Sequence, residues 1–256
     1  MRKIIAVAVP KGGVGKTTTA VNLAASFAIA EKKTLLIDFD PAGACAISLG
    51  YDNGQIKADI FDVFSFSKSI SQVIYKTDLE NLDFIPTKIE NVMAEERMGR
   101  ITGNSLLFKH ILEQLVLTSY DFVIIDCPPY LKGLTTIAMM ASDSVIIPVK
   151  AGQFSISSLK KMMDYMLHLR TMNDKLKVEG ILFTMYEPRT NAWVITEREL
   201  RRDYAGYIFN TTIPKSTSLT ESEFYGKPAV LVKAKTRGAL AYLSLADEIL
   251  NKNPGY

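Results

Sequence analysis

The stretch Lys11-Gly12-Gly13-Val14-Gly15-Lys16-Thr17-Thr18 sets lysines and threonines among glycines, directly after the apolar run Lys3–Val9 and directly before a helical pattern from Thr17. A glycine loop between a strand and a helix lets backbone N–H groups curl around phosphate oxygens, and the helix dipole adds to their pull. Gly12, Gly13, Val14, Gly15 and Thr18 are therefore expected to line a phosphate cradle, with Lys16 reaching the β and γ phosphates and the Thr17 hydroxyl holding Mg²⁺. Pro10 occupies a place that such loops often give to glycine, and Lys11 is a second lysine close to the first. Two neighbouring ammonium groups repel unless further negative charge comes within reach. "LLIDFDPAGA" and "YDFVIIDCPP" add Asp38, Asp40 and Asp126 where buried strands give out. Carboxylates placed there need a cation or hydrogen-bond donors.

The elements that must bring these residues together read as an α/β fold, a mostly parallel central sheet with helices on both faces. Strands are expected at Lys3–Val9, Thr34–Asp38, Leu82–Pro86, Phe122–Asp126, Ser144–Val149 and Gly180–Met185, with a weaker one at Tyr207–Thr212; helices are expected at Thr17–Ala30, Leu106–Thr118 and Ser157–Thr171. In such a sheet, functional residues gather at the carboxyl edge of the strands, where Lys11, Asp40 and Asp126 would converge. With 256 residues and no linker-like stretch, the chain is expected to be one domain over residues 1–256. A 48% hydrophobic and 22% charged composition, without a long apolar run or a signal-peptide pattern, points to a soluble, cytoplasmic protein. Cys45 and Cys127 suggest neither a disulfide framework nor a metal site, and His110 and His168 make no ligand pair. From Arg189 to Arg237 there are nine basic residues against five acidic ones, an excess larger than the +3 of the whole chain.

The octet resembles the K-G-G-x-G-K-[ST]-[ST] signature of the ParA/MinD group of P-loop ATPases, known for a deviant Walker A motif. The resemblance implies an ATP- and Mg²⁺-dependent ATPase that dimerises around nucleotide, with Lys11 crossing to the nucleotide of the other subunit. It implies that Asp126 is the Walker B residue and that Asp40, in switch I, orients the attacking water, so that Thr17, Asp40 and Asp126 surround the metal. Asp38 is read as structural support. Switch I usually continues "PQGN", whereas this chain has Pro41-Ala42-Gly43-Ala44; Cys127-Pro128-Pro129 resembles switch II.

The later sequence points to the ParA branch. "MYEPRTN" (Met185–Asn191) is similar to "MYDSRTN", and the stretch from "IPKSTSLTESEFYGKP" onward is similar to "IPRNVRLSEAPSHGKP". This implies a partition ATPase, cytoplasmic and nucleoid-associated, whose ATP-bound homodimer binds double-stranded DNA without sequence preference and whose hydrolysis is stimulated by a ParB-like activator. Arg189 and Lys215 are the implied DNA contacts, with Lys233, Lys235 and Arg237 as supporting cations, Ser218 standing where the family has arginine, and Pro214 at the nucleotide. Phosphate contacts need only lysine and arginine on a shared surface, which suits binding without base readout. Positioning of a cargo other than DNA is the alternative. MinD-like membrane attachment is disfavoured because "LADEILNKNPGY" has no apolar-basic face. The stripe Leu159, Met162, Met163, Met166 and Leu167 suits core packing or a docking face, and Trp193 either anchors the Arg189 loop or meets a partner.

Overall fold

The computed structural model describes residues 2–52, 54–88, 106–115 and 120–255. Its centre is a seven-stranded sheet: β1 (Lys3–Val7), β2 (Thr34–Asp38), β3 (Tyr75–Lys76), β4 (Leu82–Ile85), β5 (Phe122–Asp126), β6 (Ser144–Val149) and β7 (Lys177–Phe183), in spatial order β3-β4-β2-β5-β1-β6-β7. All neighbours are parallel except β3, which runs antiparallel to β4.

The six longer strands match the expected ones within a few residues, and their apolar content explains the architecture. In β1, Ile4 and Ala6 point into one core and Ile5 and Val7 into the other. In β5, Val123 and Ile125 oppose Phe122 and Ile124 in the same manner. Period-two alternation with apolar residues on both sides requires a cover on each face. The helices Lys16–Ile29 and Arg237–Lys252 pack on one side; Leu107–Leu115, Leu134–Ala141, Gln153–Leu169 and Asn191–Tyr204 contribute to the other.

The structure departs from the sequence expectations at three places. Tyr207–Thr212 does not form a strand, and its ladder shrinks to a bridge between Ile181 and Ile208. The reason is local: the N–H groups of Asn210 and Thr211 donate to the Glu248 carboxylate at 2.9 and 2.8 Å instead of to the sheet. Phe209 meanwhile fills the space over Gly180 that any side chain there would occupy. Second, the two-residue β3 is too short to show alternation in sequence. Third, the helix expected at Ser157 opens at Gln153, after Gly152 with φ 123°. The part of the expected Leu106–Thr118 helix beyond residue 115 lies outside the described residues.

In that helix Leu159, Met162 and Met166 are buried, and Met163 packs against the core, while Leu167 is exposed. Core packing thus accounts for most of the methionine stripe.

Candidate nucleotide-binding site

The loop after β1 bends at Pro10 and enters its helix through two left-handed glycines, Gly13 (φ 63°) and Gly15 (φ 82°). Those conformations suit glycine because no Cβ clashes there. Lys16, in the first turn, is buried and turns its ammonium back to the Lys11 carbonyl at 3.1 Å. Just after β7, the Thr184 hydroxyl donates to the Val14 carbonyl at 2.9 Å and pins the far side of the loop. Lys11 donates to Ser155 Oγ at 2.8 Å, with its ammonium 6.0 Å from the centre of the exposed Phe154 ring. Partial burial, and after it the nearby Lys150, lowers the Lys11 pKa.

Parallel pairing brings the carboxylates to the same edge. Asp38 on β2 is directly opposite Asp126 on β5, and Val7 of β1 faces Asp126 from the other side. Asp126 is fully buried; its Oδ2 accepts from the Thr17 hydroxyl at 2.6 Å and from the Cys45 thiol at 3.6 Å. Its Oδ1 has no hydrogen-bond partner. Burial pushes Asp126 up to about 7, with Asp40 adding repulsion while Thr17 and Lys16 oppose it. An orphaned carboxylate oxygen beside a hydroxyl, at the end of a phosphate-type loop, suits a divalent cation.

Asp38 is tied inward. Its oxygens accept from the N–H groups of Asp40 and Cys45 at 2.9 and 3.1 Å, and its own carbonyl accepts from Thr87. Burial, and then the adjacent Asp126, raises its pKa well above the usual carboxylate range. This fits the support role read from sequence: Asp38 shapes the turn that presents Asp40. Asp40 is half-buried and caps the Ala42 N–H at 3.0 Å. Gly43 cannot be exchanged cheaply, since its φ is 62° and a Cβ would lie 2.9 Å from the Thr87 carbonyl oxygen.

Cys45 is the residue that the sequence reading undervalued. Donor atoms of Asp38, Cys45 and Asp126 all lie within 4.8 Å of one another, although the cysteine was expected to have no part in such a cluster. Burial and the two carboxylates raise the Cys45 pKa well above its ordinary value, so the thiol is a hydrogen-bond donor there. Nothing in its spacing signals this, because the contact depends on β2 lying beside β5.

A cavity of about 250 Å³ opens on the other side of the loop. Gly15, Thr18, Thr184, Pro214, Glu223 and Tyr242 are among the residues around it. Pro214 lines it together with Gly15 and Thr18.

The basic residues fare unevenly. Arg189, Lys235 and Arg237 are exposed. Lys215 pairs with Glu187 at 3.3 Å, and Lys233 with Glu221. Ser218 is buried and shares hydrogen bonds with Ser216 and Thr236, so the position of the family arginine points inward here. Trp193 is 2% exposed, donates its indole N–H to the Met185 carbonyl at 3.0 Å and packs against Phe183 and Tyr186. It is the anchor under the Arg189 loop.

With this geometry in view, comparison with known proteins is informative. Residues 2–178 match the AAA_31 family, an AAA domain. The chain is 38% identical over 97% of its length to sporulation initiation inhibitor protein Soj of Bacillus subtilis, covering 98% of that protein. It is 33% identical over 98% of its length to the chromosome partitioning protein ParA of Caulobacter vibrioides, covering 94% of it. Among solved structures, cobyrinic acid a,c-diamide synthase from Mycobacterium smegmatis, with a bound ATP analogue and magnesium, superposes with a TM-score of 0.84 at 27% identity, covering 100% of this chain and 97% of that one.

Proposed function

Because the chain belongs to the ParA/Soj family of ATPases, we propose that it is a nucleotide-dependent switch: a Mg²⁺-dependent ATPase of residues 1–256 that dimerises with ATP and then binds DNA without sequence preference. The observation that carries this reading is the meeting of Thr17 with the buried, half-satisfied Asp126 beside Lys16 and the glycine loop.

In this reading Lys16 and the N–H groups of residues 12–18 hold the β and γ phosphates, and Thr17, Asp126 and Asp40 surround magnesium. Bound magnesium neutralises charge on the transferring phosphoryl group. Asp40, held on its turn by Asp38, orients the attacking water; phosphoryl transfer asks for placement more than for basicity. The cavity beside Pro214 takes the nucleoside. Lys11 exchanges Ser155 for the nucleotide of the second subunit, which makes closure depend on ATP.

Arg189, Lys235 and Arg237 offer exposed cations for DNA phosphates, joined by Lys215 and Lys233 once their carboxylate partners give way. Two such faces in one dimer raise avidity without any new contact. A ParB-like activator stimulates hydrolysis and the subunits separate, so the ATPase cycle segregates or positions a plasmid or chromosome in a cytoplasmic, nucleoid-associated setting. Among the described residues no helix is long and apolar enough to cross a membrane.

The inward Ser218 and the ion-paired Lys215 and Lys233 leave fewer free cations than the family pattern implies, which favours positioning of a non-DNA cargo as the second reading. Binding to random-sequence duplex DNA with ATP, ADP or no nucleotide, over a salt series, separates the two. Wild type should bind only with ATP and weaken steeply with salt, and Lys16→Ala and Arg189→Ala should not bind. Absence of ATP-dependent binding at low salt would sink the DNA reading.

A further inference from the structure

Lys150 follows the last residue of β6, the strand that pairs with β1 on the side away from β5. Its ammonium lies 3.9 Å from the position that a Cβ on Gly13, in the phosphate loop, would take. Among the described residues it has no ion-pair or hydrogen-bond partner, and it is only half-exposed. A solvated surface lysine swings away from like charge. This one instead stays beside Lys11, whose own pKa it helps to depress. Lys11, Lys16 and Lys150 therefore gather at one loop, an arrangement that costs free energy until an anion arrives.

We propose that Lys150 is a third phosphate-facing cation of the nucleotide site, set to contact the terminal phosphate of ATP bound in the same protomer and so to favour the triphosphate over the diphosphate. The placement selects the terminal phosphate. Gly13 belongs to the early part of the loop, near Lys11, whereas the cavity assigned to the nucleoside lies at Gly15, Thr18 and Pro214. The added phosphate of a triphosphate, carried beyond the β-phosphate along the loop, is the group nearest Gly13 and so the one Lys150 would meet in this reading. The inference rests on the nucleotide reading above and adds a discriminating residue to it.

The test is calorimetric binding of Mg–ATPγS and Mg–ADP, without turnover, to wild type, Lys150→Gln, Lys150→Met, Lys150→Arg and Lys16→Ala. Loss of one charge-assisted contact should weaken ATPγS about tenfold in Lys150→Gln and Lys150→Met and leave ADP within about twofold of wild type. Lys150→Arg should keep the wild-type ratio. Equal weakening of both nucleotides, or no change in either, in variants that melt like wild type without nucleotide would overturn the proposal. Should either neutral variant melt early, the other decides. Lys16→Ala separates the two levels: if it binds both nucleotides like wild type, the phosphate-loop reading itself fails, and if it loses both while Lys150→Gln is unaffected, only the role of Lys150 fails.

Discussion

Lys11 is held by its own chain, through a 2.8 Å hydrogen bond from its ammonium to Ser155 Oγ. In the dimer we propose, Lys11 would reach the second subunit from a docked position, and Ser155 would set part of the cost of releasing it. A neutral acceptor to a charged donor contributes about 1–3 kcal/mol at most. Ser155→Ala should tighten ATP-dependent dimerisation severalfold, while Lys11→Ala should abolish it and leave monomeric nucleotide binding in place. Sedimentation velocity with ATPγS reads both; weaker dimerisation in Ser155→Ala would count against a docking role.

The pH response of the metal-free protein follows from the buried carboxyl pair, Asp126 and Asp38, both held above the ordinary carboxylate range. Burial pushes Asp126 up to about 7 against an ordinary 3.8. The native state then binds more protons than the unfolded chain between those values, so this group's stabilising contribution is complete at acidic pH and is lost as pH rises through about 7. In EDTA, the melting temperature should decline from mildly acidic to mildly alkaline pH, and less so in Asp126→Asn. Added Mg²⁺ should restore wild type at pH 8 but not the variant. A flat wild-type profile would refute the assignment.

A second buried charge is structural. Lys3 and Glu179 pair at 2.7 Å with side chains only 2% and 4% exposed, and Lys3 also donates to Asn253 near the end of the chain. Burial alone would raise Glu179, yet Lys3, Ser144 and Asn253 hold it below the usual carboxylate range. Lys3→Met leaves that carboxylate uncompensated and should cost about 3–5 kcal/mol by denaturant unfolding. Lys3→Met combined with Glu179→Leu should recover much of the loss, with nucleotide affinity unchanged throughout.

Trp193 links stability to the basic face. Its indole N–H satisfies the Met185 carbonyl at a residue with φ 51°, just before the Arg189 loop. Trp193→Phe keeps an aromatic ring but removes the donor, for an expected loss of about 1–3 kcal/mol. DNA retention by the ATP-bound form should weaken more than nucleotide binding does. Equal effects on both would mean that the tryptophan supports the sheet alone.

The parts legible in sequence were those that neighbours along the chain define. The octet at Lys11–Thr18 carries its own strand, turn and helix; Asp126 is marked by the apolar run that precedes it; Arg189 sits in a short contiguous motif. Tyr207–Thr212 misled because its composition is strand-like while the N–H groups of Asn210 and Thr211 go to Glu248. That Ser218 turns inward to Ser216 and Thr236 left no trace in the sequence.

What the sequence determined by itself was the chemistry available to each loop: phosphate-binding amides, ammonium groups, carboxylates at strand ends. Which of these meet was decided by the order β2-β5-β1-β6-β7. That order sets Asp38 and Cys45 against Asp126, Thr184 against Val14, Ser155 against Lys11 and Lys150 over Gly13. Crossovers of a parallel sheet join strands far apart in the chain, so the lateral neighbours of a strand end are fixed by packing both faces of the sheet and leave no periodic trace near the residues they bring together.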